Sequence, residues 1–560
     1  MQKFAQTEDD SLHRKERQCT DVAFLVVQFC FVTGMFGLVL ACLPSTDIFR
    51  TIYGYDDCGN ICGRSNIRAI DLPCSGEDMR YKPYLLLTVT ASSLEPLRSC
   101  VEDCNTSEGY ELIFNRCVRF QLRGLGQEPP PQGYLDELWQ DVGNFWLELF
   151  ILCVMALLGS FGMLVLLWCA TRVVILAMVA SIVGVCFCGT VWLWYTWYHA
   201  DGRSSSSLLW YAIGSTIATL IVLPLITLVW KKITMVVQLM NEAGEAIRSM
   251  LLMLCIPIAT ITTLLVTFSL AAFFILIIES SGQATLENGS VTYQKSNLVL
   301  ITRWYHLITL AWFLQFVYGC QHLVTACATT QWFFTRNKST LKSPVPRSWF
   351  VLIRYHLGTV ALGSLLMSFI QLLQWLQRIL LYTSGKSQKL QRLGNACLCC
   401  VGCCRGLLDP VCRNAYSLTA MRGLPLCVAG AEAVRLMRVN AANVVGVMPT
   451  ESVVLLLAKV FVVALVGYTG LELANRRAEL YHPYVMAGAA CALCFLIADC
   501  FLLLYEVTTD TIFLCICKDS EVNDGTSSRP YYMSARLESF VQRGQTAKMD
   551  SEQPSGSTAR

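Results

Sequence analysis

The chain has 560 residues, 54% of them hydrophobic and only 15% charged, with a mean hydropathy of +0.49 and a net charge of +3. Soluble domains carry about 25% charged residues, so this composition excludes an ordinary water-soluble protein and fits a bilayer. The near-neutral balance, with no stripe of basic and aromatic residues, excludes a nucleic-acid binder.

A bilayer-crossing helix needs about 20 mostly apolar residues. Residues 1–21 form a polar leader whose basic cluster, Arg14, Lys15 and Arg17, places the amino end in the cytosol. The run 22–43 is too long for the apolar core of a signal peptide and reads as the first span. Residues 44–143 are polar and read as an extracellular loop. They hold Cys58, Cys62, Cys74, Cys100, Cys104 and Cys117, with no histidine between Leu43 and Trp146. An even cysteine set in an oxidising compartment points to disulfides rather than a metal site, and the sequence leaves all fifteen pairings open.

Residues 144–507 carry nine further runs, at 144–168, 173–199, 208–230, 250–279, 299–329, 350–382, 412–434, 450–472 and 483–507. The expected fold is therefore an all-α, polytopic helical membrane protein with about ten transmembrane helices. Residues 508–560 form a cytosolic tail. Lys231, Lys232, Arg248, Arg336, Lys338, Lys342 and Arg347 then lie inside, as basic loop residues do. Segment 383–411 breaks this rule, because ten spans place its Lys386, Lys389, Arg392 and Arg405 outside. The run 412–434 is the weakest span, since it contains Arg413, Arg422, Pro425 and Glu432; a re-entrant or interfacial course is its alternative. Sequons at Asn105 and Asn288 fall outside and are glycosylation candidates, whereas that at Asn337 falls inside. The cluster Cys397, Cys399, Cys400, Cys403, Cys404 and Cys412 suits palmitoylation if cytosolic and disulfides if outside; its spacing is crowded for one zinc ion.

No phosphate-cradling loop, nucleophile elbow or His-Glu-x-x-His motif occurs, so neither an enzyme nor a bound cofactor is expected. Polar groups inside a span face a cavity or another helix, because lipid cannot satisfy them. In the sixth span Trp312, Gln315, Gly319 and His322 share one helix face, bordered by Tyr318. This stripe is either the wall of a cavity or plain helix packing. In the seventh span Ser364, Ser368, Gln371 and Trp375 form a second stripe with the same two readings. Trp146 and Glu148 near the outer end of span two, and Trp192 of span three, complete the candidate substrate-binding set. Asp499 and Glu506 share a face of the last span. With His322 they are candidates for proton coupling, against the plainer reading that they pair with cations such as Lys459.

Several stretches resemble the choline transporter-like protein family. They are Arg17-Gln18-Cys19-Thr20-Asp21-Val22 before the first span and Tyr55-Asp56-Asp57-Cys58-Gly59-Asn60 after it. Thr330-Gln331-Trp332-Phe333-Phe334, Arg354-Tyr355-His356-Leu357-Gly358-Thr359 and Arg413-Asn414-Ala415-Tyr416 follow in order. Arg529-Pro530-Tyr531-Tyr532-Met533-Ser534 closes the set. The resemblance implies a multi-pass, sodium-independent, proton-coupled transporter of choline or a related amine such as ethanolamine. It would act at the plasma membrane, and also at organelle membranes, to supply phospholipid synthesis. A quaternary cation is held by aromatic faces, at about 2 kcal/mol or more each when desolvated, and the chain offers 13 Trp and 21 Tyr. A channel, a carrier of another organic cation and a receptor using the disulfide loop are the rival readings. Oligomeric state is not legible.

Overall fold

The computed structural model describes residues 17–68, 74–88, 97–104, 110–113, 115–119, 131–199, 204–287, 290–383, 402, 408–439, 441–477 and 479–538. Both outer sequons, Asn105 and Asn288, and the crowded cysteines 397–404 lie outside the described residues.

Helix α1 (Val22–Cys42) is apolar all round and buries few side chains, as expected of a helix at the lipid boundary. The short α2 (Ile48–Tyr53) is capped by Asp47, which accepts from the Phe49 amide at 3.1 Å. The loop that follows α1 is not purely irregular. It carries a four-stranded sheet of β1 (Tyr84–Thr88), β2 (Leu97–Val101), β3 (Tyr110–Ile113) and β4 (Arg116–Arg119), in the order β2-β1-β4-β3. Pairing is antiparallel except between β1 and β4. The all-α expectation thus misses this sheet and a later hairpin. All six loop cysteines are paired, as Cys58–Cys74, Cys62–Cys100 and Cys104–Cys117.

The Asp-Asp-Cys-Gly-Asn turn has a clear physical role. The Asp56 carboxylate accepts from the Cys58 and Asn60 amides, at 3.0 and 2.7 Å. The Asn60 side chain reaches on to the Cys74 carbonyl and the Gly76 amide, so the turn is fastened to both ends of the first disulfide.

Helix α3 (Pro131–Tyr198) is 68 residues long. At 1.5 Å per residue a straight helix of that length would be about 100 Å, three times the hydrocarbon thickness. It is broken at Ala170, whose φ of −141° and ψ of 38° leave the helical region. The second arm lies against α4 (Ser204–Ser249), where Thr190 meets Ser215 and Thr219, and the Trp194 indole donates to Thr216. Helix α5 (Cys255–Ser280) leads through the hairpin β5 (Gln283–Glu287) and β6 (Ser290–Gln294) into α6 (Asn297–Phe333). Next come α7 (Pro344–Val351), one π-turn (Leu352–His356) and α8 (Leu357–Thr383).

The expected span 412–434 is not one helix. Residues 408–422 are helical and residues 423–425 are not. Gly423 takes a φ of +69°, and α9 (Leu426–Val439) follows. Gly423 and Pro425 end the first helix in the usual way, so this stretch is two helices with a break rather than one continuous span. The chain closes with α10 (Ala441–Asn475) and α11 (Pro483–Val522). Seven helices among the described residues are long and apolar enough to cross a membrane, and the broken α3 counts once among them. The count of about ten therefore stands unconfirmed, and the chain is a multi-pass helical membrane protein.

Both ends of the described chain lie at one end of the bundle. Thr20 bonds to His356 and Thr359, and the Asp21 carboxylate accepts from Thr359 and the Leu426 amide. Arg336, just past α6, donates to the Pro530 carbonyl and covers the Tyr532 ring. The disulfide sheet occupies the opposite end, where the segment that follows α1 ties three helices together. Asp47 and Thr46 bond to the last turn of α5, Gly282 bonds to Ser45, and the Val291 amide of β6 bonds to Asp57.

Candidate functional site

A cavity of about 310 Å³ opens between α6, α8, the 408–422 helix, α10 and α11. Helix α6 supplies Gln315, Tyr318, Gly319 and His322 to its wall, and α8 supplies Ser364, Met367 and Gln371. The 408–422 helix adds Asp409, Cys412, Arg413 and Tyr416. Lys459 enters from α10, and Asp499, Leu503 and Glu506 from α11.

The charges are arranged in a chain. The Lys459 ammonium donates to Asp499 at 2.8 Å and to Glu506 at 3.5 Å. Arg413 pairs with Glu506 and, at 3.2 Å, with Asp409. One lysine can serve both acids because positions seven apart lie on one face of α11, about 10.5 Å apart along its axis. Three acidic side chains thus face two basic ones, a formal excess of one acid in the wall. Buried charges persist in a membrane only when paired or functional.

The neutral wall is polar and aromatic. Gln315 donates to Gln371 at 3.0 Å across the α6–α8 contact. The Tyr416 hydroxyl donates to the Val360 carbonyl, and its ring lies 5.5 Å from the His322 ring. His322 is buried, and its Nε2 has no partner among the described residues. Tyr318 presents its hydroxyl to the Cys500 thiol.

The cavity draws together Gln315, Tyr318, His322, Asp499 and Glu506 from the residues singled out in the sequence. Four other substrate-site candidates lie outside it. Trp312 is 3% exposed, and its indole donates to Ala361 and Ser364 of α8 while its ring meets Phe31 of α1. Trp146 and Trp192 are 63% and 65% exposed on the outer surface of α3. Glu148 pairs with Arg477. In the second stripe Ser364 and Gln371 reach the cavity, Ser368 is buried beside it and Trp375 is exposed.

This wall is contained within one stretch of the chain. The family model described as plasma-membrane choline transporter matches residues 213–521, which hold every residue of the cavity. The chain belongs to the plasma-membrane choline transporter family. Curated relatives extend the likeness to nearly the whole chain. Choline transporter-like protein 1 of Xenopus laevis is 26% identical over 611 residues, covering 94% of this chain and 93% of that protein. Choline transporter-like protein 3 of Bos taurus is 28% identical, covering 94% and 92%. Choline transporter-like protein 1 of Mus musculus is 25% identical, covering 98% and 96%. Membership of this family agrees with the expectation that the chain is not an enzyme.

Asp409, Arg413 and Tyr416 were not among the expected site residues of this family member. Their signal was present, since Asp409 and Arg413 stand four apart at the edge of an apolar run. Charges so placed read equally well as the defect of a weak span or as the lining of a cavity, and only the neighbouring helices decide between them.

Proposed function

We propose that this chain moves choline across the plasma membrane as a secondary transporter, with the cavity at α6, α8, α10 and α11 as its cation site. The observation that carries this reading is the uneven charge of the wall. Three acidic side chains against two basic ones leave a formal deficit that one monovalent cation makes good. Tyr318 and Tyr416 offer ring faces, which suit a quaternary ammonium that cannot donate hydrogen bonds. Gln315 and Gln371 are placed to hold its hydroxyl.

The proposal extends to topology and coupling. Two crossings by α3 on either side of Ala170, one by α4 and one through the 408–422 helix give ten spans, with both termini in the cytosol. Coupling is assigned to protons rather than sodium. His322 carries it, because its buried Nε2 is unengaged whereas Asp499 and Glu506 are held by Lys459 and Arg413. Ethanolamine is included as a second substrate, to be tested by competition.

The test is uptake of labelled choline by liposomes containing the purified chain. Saturable uptake is expected, with Tyr318→Ala raising KM about tenfold and Asp499→Asn reducing uptake more severely. Absence of choline flux from folded protein at every imposed pH gradient would remove the proposal. Flux that rises linearly with choline would favour a channel.

A further inference from the structure

A second cavity, of about 370 Å³, lies between α1, α5 and α6, away from the first. Its floor is buried and is made by Met35, Ala271 and Phe274, with His306 and Thr309. Its rim includes Phe36, Val266 and Leu270, which are exposed, so the groove opens sideways toward lipid.

The polar inventory of this groove is unusual. Four threonines line it, but each hydroxyl bonds to the carbonyl four residues back in its own helix. Thr262 bonds to Ile258, Thr263 to Ala259, Thr267 to Thr263 and Thr309 to Tyr305. They therefore present methyl groups. The remaining hydrogen-bonding group is His306. It is 4% exposed, and its Nε2 has no partner among the described residues. A buried polar nitrogen without a partner is costly to leave so, and a ligand that reaches it gains correspondingly.

The depth of this nitrogen defines the ligand. His306 lies one helical turn below Arg303, which with Lys295 closes on Glu279 at the disulfide end of the bundle. Clustered charges at the ends of apolar helices stand where headgroups meet acyl chains, which puts His306 just inside that boundary. From Phe274 to Thr262 the groove follows α5 for twelve residues, about 18 Å. We propose that this groove is a sterol site, with the sterol hydroxyl on His306 and the ring system and tail along α5 and α6. A hydroxyl both donates and accepts, so it satisfies either tautomer of the imidazole. The cations above His306 are already engaged by Glu279. This favours a ligand with one small polar group over a phospholipid with a phosphate.

The test uses the full chain in membranes with a photoreactive, alkyne-bearing cholesterol analogue. Saturable labelling is expected within 255–280 and 297–333, displaced by cholesterol and not by phosphatidylcholine. Loss of one hydrogen bond, about 1 kcal/mol, predicts roughly fivefold weaker labelling in His306→Leu. His306→Gln, which keeps a hydrogen-bonding group, should recover it. Ala271→Phe fills the floor and should abolish labelling independently of the histidine. A 3-deoxy sterol should compete poorly on the native chain and as well as cholesterol on His306→Leu. Labelling that maps elsewhere, that phosphatidylcholine displaces, or that survives both His306→Leu and Ala271→Phe would overturn the proposal.

Discussion

Lys459 is the residue on which the charge chain turns, because it is the partner of Asp499 and shares Glu506 with Arg413. Removing one member of a buried ion pair costs about 3–5 kcal/mol, since the other is left uncompensated. Lys459→Met should therefore lower the thermal unfolding temperature in detergent markedly, whereas Lys459→Met with Asp499→Asn should recover most of the loss. An unchanged melting temperature in the single variant would mean that water, not the lysine, neutralises Asp499. A second residue-scale prediction concerns Asp56, outside the membrane spans. Burial raises its carboxyl above the ordinary value of 3.8, against the opposing pull of its hydrogen bonds from Asn60 and Cys58. The folded loop then holds this proton more tightly than the unfolded loop does. Its contribution is fully present below 3.8 and is lost as pH climbs through the raised folded value. Unfolding followed across mildly acidic pH should show this decline in the native chain and a flatter profile in Asp56→Asn.

Among the elements, α8 packs directly against the backbone of the N-terminal segment. A side chain at Gly358 would collide with the backbone of Thr20 and Asp21. Gly358→Ala should therefore displace residues 17–21. The loss of the Thr20 and Asp21 bonds to His356, Thr359 and Leu426 would appear as faster modification of Cys19 by a soluble maleimide. Unaltered Cys19 reactivity would show that the segment absorbs the methyl. The elements also show where the sequence was readable. Helical periodicity placed Gln315, Tyr318 and His322 on one side of α6, and the cavity is there. The same periodicity included Trp312, which lies at nearly the same angle as Gly319 but two turns away, where α8 and α1 fill the space. Period fixes direction around an axis and says nothing of depth along it. The stop at Gly423 and Pro425 was legible in residue type, but apolar residues on both sides of it masked two short helices as one span.

For the molecule as a whole, the six loop cysteines announced a disulfide framework, while their pairing depended on strands that only folding brings together. Cys62–Cys100 joins the turn after α2 to β2, across 38 residues. Replacing both with alanine should cost about 2–5 kcal/mol and reduce surface expression more than the affinity for choline, because the cavity lies elsewhere. A large rise in choline KM with normal expression would instead place the sheet in the substrate path. The clasp beside that sheet has a mechanical consequence: residues 45–47 after α1 bond to the end of α5 and to Gly282, and Asp57 and Arg98 bond to Val291 of the hairpin before α6. Those three ends are clamped into a stator, which cannot splay without breaking the Asp47, Thr46, Gly282 and Val291 contacts together. Rocking motions that admit solute from the disulfide side are thereby left to α8, the 408–422 helix, α10 and α11. Paired spin labels should find their changing distances there, and constant ones among α1, α5 and α6.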